Sequence, residues 1–155
     1  MKGLSFAVAV CVAGIAAEAA LAGKDAHAIM RSLKQPSWAL PPWAWYFIGA
    51  AYYTACFASL YRLRDANSAT GMRSLSLGLV IAVMAANAAW NFIFFRRRNL
   101  GLSFWFFFPY MVLVVGLEYT LSRIDLVSAM IFVIYLLYLP YALAWSYRIW
   151  KLNGG

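Results

Sequence analysis

Five apolar runs, each near the roughly 20 residues that a spanning helix needs, divide the chain: Leu4–Gly23, Trp43–Leu63, Arg73–Phe95, Gly101–Leu121 and Leu126–Trp150. Backbone polar groups in lipid must be satisfied within their own segment, so each run is read as a helix. Only the connection over residues 24–42 is long, and no linker separates domains. The pattern predicts one membrane domain over residues 1–155, an all-α bundle of five transmembrane helices. Lys2, the first run and Ala20-Leu21-Ala22 also fit a cleaved secretory leader. The spanning length of the run, and Glu18 near its end, favour a retained first helix.

Polar positions inside the runs carry the next layer of information. Asn87 and Trp90 stand three residues apart in the third run and therefore share a helix face. An unpaired amide is costly in lipid, so Asn87 is expected to face other helices or a cavity. Interhelical glue and a ligand pocket both satisfy that requirement. A second face of the same helix repeats small residues at four-residue spacing, Ser74, Gly78, Ala82 and Ala86. Close backbone approach there predicts packing within the bundle or, preferably, a homodimer. Glu18 and Glu118 lie near helix ends, where reaching water or pairing with Lys24 and Arg123 competes with a transport role. The fifth run carries Tyr135, Tyr138, Tyr141, Trp145, Tyr147 and Trp150, of which Tyr138, Tyr141 and Trp145 form one stripe. Such a stripe suits core packing, an interfacial belt, or stacking against a flat polycyclic ligand. Leu143, Tyr147 and Lys151 also match a loose cholesterol-contact pattern.

The first connection, residues 24–42, contains Pro36, Pro41 and Pro42 with Trp38, and Trp43 and Trp45 follow. Proline denies helix and fixes extended or turn geometry. The segment reads either as an aromatic belt beside a proline-marked helix start, with proline at or near its first turn, or as a shaped lid over the bundle mouth.

Composition fits this reading. Of 155 residues 65% are hydrophobic and only 12% charged, with a mean hydropathy of +0.73, more apolar surface than a soluble domain of this size can bury. The net charge of +8 reads as sidedness rather than nucleic-acid binding. Lys24, Arg31, Lys34, Arg96, Arg97, Arg98, Arg148 and Lys151 fall with the C-terminus; Lys2, Arg62, Arg64, Arg73 and Arg123 fall with the N-terminus. Eight against five places the C-terminus in the cytoplasm and the N-terminus outside. Cys11 and Cys56 lie within spans, so neither a disulfide framework nor a metal site is expected. His27 reads as a loop residue, and no phosphate loop or nucleophile elbow is present.

Taken in order, the motifs resemble the translocator protein (TspO/MBR) family, the tryptophan-rich sensory proteins and peripheral-type benzodiazepine receptors. The carriers are Leu33-Lys-Gln-Pro36-Ser-Trp38 with Pro41-Pro42, then Tyr53, then Asn87-x2-Trp90-x3-Phe94-Phe95, then Ile149-Trp150-Lys-Leu152-Asn153. The likeness covers essentially the whole chain. It implies a five-helix membrane protein, often dimeric through its third helix, with a pocket closed by the first loop. Porphyrins, haem-type tetrapyrroles, sterols and drug-like molecules are the implied ligands, and light-driven porphyrin degradation is proposed for some members. On this resemblance Asn87, Trp90, Phe94, Tyr53, Tyr135, Tyr138 and Ala142 would line the pocket. Trp38, Pro36, Pro41, Pro42 and Trp43 would form its lid. There are departures: the family's second-helix pocket tryptophan falls at Gly49 or Ala50, its fifth-helix one at Tyr138, and Ile29-Met30 replaces Trp-Tyr.

The expected function is therefore a membrane receptor, binder or transporter of flat apolar ligands in tetrapyrrole or stress signalling, with no obligatory cofactor and porphyrin or haem as possible ligand. The alternative is a small proton-coupled exporter of drugs or cations working through Glu18. An enzymatic reading is weakened by the displaced tryptophans.

Overall fold

The structure, a computed structural model, describes residues 2–65 and 70–154. Its helices are α1 (Lys2–Ala22), α2 (Ala26–Ser32), α3 (Pro42–Asp65), α4 (Thr70–Asn91), α5 (Leu100–Trp105), α6 (Phe107–Ile124) and α7 (Leu126–Leu152). Five of them are long, and they close a ring in the order α6, α7, α3, α1, α4. α3 also touches α4, so α1 sits in the groove between that pair. The core runs through the ring from Leu63, Val80, Leu117 and Leu121 to Tyr52, Cys56, Tyr110 and Phe132. Large apolar side chains on the outer faces, Val12, Val112, Met130, Ile134 and Leu137 among them, are left uncovered. That outer surface fits lipid as its solvent.

Four helical stretches are long and apolar enough to cross a membrane: Gly3–Ala22, Gly71–Arg96, Leu100–Ile124 and Leu126–Leu152. Of the five expected stretches, α3 is the one not among these four. Its 24 residues reach about 36 Å at 1.5 Å per residue, but Trp45, Tyr46, Tyr52, Tyr53, Arg62 and Arg64 dilute its apolar character.

Several boundaries also differ, each for a local reason. Gly23 takes φ +79 and its N–H bonds Ala19 O at 3.1 Å, a glycine stop for α1. The first connection, expected to be non-helical, contains α2, which ends four residues before Pro36. His27 lies exposed on that helix rather than in a loop. Pro42 opens α3 as expected. The third run ends not in α-helix but in a π turn, Phe92–Arg96, closed by Arg97 N–H on Phe92 O at 2.9 Å. The fourth run is divided at Phe106, because Pro109 has no N–H to offer the carbonyl of Trp105 four residues earlier.

One ion pair fastens the end of the ring remote from α2. Arg62 Nε and Nη2 donate to the Asp125 carboxylate at 2.6 and 2.7 Å, and Ser128 Oγ donates to it at 2.6 Å. Asp125 lies between α6 and α7, so the pair ties α3 to their junction. These donors, Arg62 first, hold the Asp125 carboxyl at about 2. An unfolded aspartate titrates higher, near 3.9. The stabilisation is therefore complete above about pH 4 and is lost as pH falls toward 2. Thermal unfolding of the detergent-solubilised protein is expected to place Asp125→Asn below wild type at pH 7. The two curves should converge as pH approaches 2; a gap independent of pH would contradict the assignment.

Candidate functional site

The site starts from a close helix approach. A Cβ on Gly14 of α1 would lie 2.5 Å from Met84 Cε and 3.3 Å from Tyr53 Oη, so glycine lets α1 press into the α3–α4 groove. One turn later Glu18 points into the ring. Its Oε1 accepts the Tyr53 hydroxyl of α3 and the Asn87 Nδ2 of α4, each at 2.7 Å. Asn91, one turn beyond Asn87, donates its amide to Asn87 O at 3.0 Å. Neither acid pairs as the sequence suggested. Glu18 has Tyr53 and Asn87 in place of Lys24. Glu118 leaves Oε2 buried without a partner among the described residues, while Arg123 lies over the Tyr119 ring at 5.3 Å.

Beside this polar cluster is a cavity of about 210 Å³. Asn87, Trp90, Tyr53, Tyr135, Tyr138 and Ala142 all border it, together with Glu18, Asn91, Trp45, Gly49, Tyr52, Tyr110 and Trp145. The α7 rings climb its wall: Tyr135 to Tyr138 and Tyr138 to Tyr141 are each 5.9 Å apart. Tyr110 and Tyr135 share a hydroxyl–hydroxyl bond of 2.6 Å. Trp90 does not offer its N–H to the cavity, because that group donates to Ser103 O at 3.1 Å. Trp90 thus presents its ring to the cavity while its N–H fastens α4 to α5.

The remaining expected residues fall elsewhere. Phe94 is fully buried behind the wall, stacked on Trp90 at 4.8 Å and on Trp145 at 5.7 Å. Trp38 does not border the cavity; it is 44% exposed and meets Tyr141 edge-on at 5.6 Å. Of the lid prolines, Pro36 is buried, whereas Pro41 and Pro42 are exposed at the α3 start. Trp43 is 63% exposed and packs outward on Phe47 at 5.9 Å, so it belongs to the outer surface rather than to a lid. The segment is tied down by other groups. Leu40 N–H donates to Tyr141 Oη at 2.8 Å, and Trp145 Nε1 to Gln35 Oε1 at 3.1 Å. Asn153 Oδ1 accepts Lys34 N–H at 2.9 Å while its Nδ2 donates to Lys34 O at 3.0 Å. Ser74 and Gly78 of the small-residue stripe face outward, and Ala82 and Ala86 are half-buried.

Trp45, Tyr52, Asn91 and Tyr110 border the cavity without having been expected there, and Glu18 and Trp145, singled out for other roles, join them. Trp145 stands on the aromatic stripe, and Asn91 repeats Asn87 at four-residue spacing, so both signals were present. Trp45 and Trp145, whose rings are 4.8 Å apart, bring two indoles to the wall that Gly49 and Tyr138 also border. Gly49 itself has open space where a side chain would stand.

Residues 7–151 match the TspO/MBR family. The chain belongs to that family. A curated relative, protein CrtK of Rhodobacter capsulatus, is 26% identical over 124 residues, covering 80% of this chain and 78% of that protein. As a TspO/MBR protein with its apolar helices, the chain is an integral membrane protein of a family with a general ligand-binding or transport role.

Tyr53 and Asn87 share a single oxygen, so their contributions are expected to couple. Side chain hydrogen bonds between membrane helices average about 0.6 kcal/mol and reach about 1.7. Asn87→Ala and Tyr53→Phe should each lower the stability of the solubilised protein by about 1 kcal/mol. The double variant should depart from their sum, because either donor alone shortens its bond when the other is gone. Strict additivity in denaturant titrations would mean that the carboxylate is not the shared node.

Proposed function

We propose that this TspO/MBR protein is a multi-pass receptor or carrier whose five long helices all cross the bilayer and enclose flat apolar ligands in the central cavity. Porphyrins, haem-type tetrapyrroles and sterols are the ligand classes, in tetrapyrrole or stress signalling. The observation that carries this reading is a cavity walled by aromatic rings from α3, α4, α6 and α7, with polar groups gathered at one point of the wall. Ring faces supply burial at about 25 cal/mol per Å² and stacking, and a few polar atoms supply orientation.

Size sets how such a ligand enters. Drug-sized pockets span about 300–1,000 Å³, and about 210 Å³ is less than a tetrapyrrole needs. Accommodation then requires residues 33–40 to lift, releasing Gln35 from Trp145 and Leu40 from Tyr141. Lys34 and Arg31 beside that opening would meet the propionates of a porphyrin, a contact weakened by salt. The same end of the ring gathers residues 24–34, Arg96 to Arg98 and the C-terminal turn, since Arg96 bonds Ala20 O and Asn153 bonds Lys34. This clustering of positive charge supports a cytoplasmic C-terminus and an external N-terminus. Outward-facing Ser74 and Gly78 support a homodimer through α4.

Titration with protoporphyrin IX, followed by tryptophan quenching, is expected to give saturable binding. Ala142→Leu should weaken it at least tenfold by filling the cavity while leaving the melting temperature near wild type. Affinity untouched by both Ala142→Leu and Tyr138→Ala would remove the cavity assignment, and failure of every tetrapyrrole and sterol to bind would end this reading. Separately, Gly78→Leu is expected to shift crosslinked species from dimer to monomer in lipid discs. An unchanged dimer fraction would place any interface elsewhere.

A further inference from the structure

The hydrogen-bond inventory of the cavity is lopsided. Glu18 takes both of its bonds on Oε1, and no donor among the described residues reaches Oε2. No described cation lies within ion-pair distance of this carboxylate either; Arg62 is spent on Asp125. Asn87 and Asn91 each turn the amide nitrogen to a protein oxygen, which leaves both side chain oxygens unbonded. The amide orientations follow from chemistry, since each nitrogen faces an oxygen that only accepts. Of the indole N–H groups on the wall, Trp90 donates to Ser103 O and Trp145 to Gln35, while Trp45 has no hydrogen-bond partner among the described residues. The hydroxyls of Tyr52 and Tyr138 serve in either sense. At its Glu18 end the cavity thus offers a ligand acceptors, one of them a carboxylate.

We propose that the cavity selects small aromatic ligands carrying a protonated amine, with the ammonium on Glu18 Oε2 and the Asn87 oxygen, and the ring between Tyr138 and Trp45. This rests on the reading that the cavity takes ligands, and it names their chemistry. Three physical terms converge on an amine. A carboxylate removed from bulk water gains most from a cationic donor. The faces of tyrosine and tryptophan rings attract a cation within about 6 Å. The volume of about 210 Å³ exceeds the roughly 150 Å³ that holds one benzene ring and falls below a drug-sized pocket, which suits a ligand of one or two rings. An anionic group in the same place would face Glu18 and two unfilled acceptor oxygens, and would be rejected.

Three naphthalenes of one shape test this: 2-(aminomethyl)naphthalene, 2-(hydroxymethyl)naphthalene and 2-naphthoate, titrated calorimetrically into the full chain in detergent and in neutral-lipid discs. The amine is expected to bind at least tenfold more tightly than the alcohol, with the naphthoate weakest. Glu18→Gln keeps an oxygen for Tyr53 and Asn87, so the fold is retained, and its melting temperature checks this. That variant should lose the amine preference while the alcohol stays within about twofold. Naphthoate binding as well as the amine, or an amine preference that survives Glu18→Gln, overturns the proposal. Equal binding of all three, blocked by Ala142→Leu, would reject the amine selectivity and leave the cavity standing. Binding of none would reject both.

Discussion

A carboxylate inside an apolar bundle has to be held by something, and here two helices hold it. Oε1 of Glu18 receives the hydroxyl of Tyr53 and the amide of Asn87, so α1, α3 and α4 meet at one atom. α1 also packs on the core through Ala7 and Cys11, and Arg96 bonds its Ala20 O. Its large side chains Val8, Val12 and Ile15 point outward, and lipid tails are as favourable to them as any helix face would be. The glycine approach at Gly14 and the polar bond one turn on fix its inner face against α3 and α4. The rest of the site follows from that: the groove between α3 and α4 is closed by α1, and the ring acquires an interior.

The opposite end is governed by the same requirement applied to backbone. Residues 33–40 carry N–H and carbonyl groups that neither helix nor strand satisfies, and the C-terminal part of α7 supplies the missing partners. Tyr141 takes Leu40 N–H, and Asn153 takes Lys34 N–H and returns its amide to Lys34 O. Beneath them Phe94, Trp145 and Ile149 form a small buried core, with Met30, Leu33 and Ala39 of the first connection packed on it. The segment is therefore seated by a few hydrogen bonds over an apolar core.

The positions of the long helices were legible because lipid imposes a length and a polarity on every segment that crosses it, whereas α2, the π turn and the α5–α6 division were not. The inward direction of Asn87 was legible for the same reason. Its partner was not: Glu18 lies 69 residues away, and Lys24, nearer in sequence, looked the simpler match for the acid. Which helices are neighbours depends on the order of the ring, and no single-helix pattern encodes that order. The tryptophan positions failed for a related reason. Gly49 and Tyr138 read as losses when compared place for place, yet Trp45 and Trp145 bring indoles to the same wall from one turn before and two turns after. The outward turn of Trp43 and the Phe106 break depended on details, an exposed helix start and one missing N–H at Pro109, that periodicity does not register.

A hollow of about 210 Å³ in a packed interior would cost on the order of 5 kcal/mol at roughly 24 cal/mol per Å³ if the walls were free to close it and did not. The walls are not free. Tyr53 is bound to Glu18, Trp90 to Ser103 O, Trp145 to Gln35 and Tyr110 to Tyr135, so these rings are held at their polar edges, while Trp45, Tyr52 and Tyr138 are held by ring packing. Opposite them stand Gly49 and Ala142, which have no side chain long enough to fill the gap. A ligand entering this space loses little to reorganisation, because the rings it stacks on are already in place. The hydrogen bonds that seem to waste the tryptophans on the protein itself are what keep the cavity open.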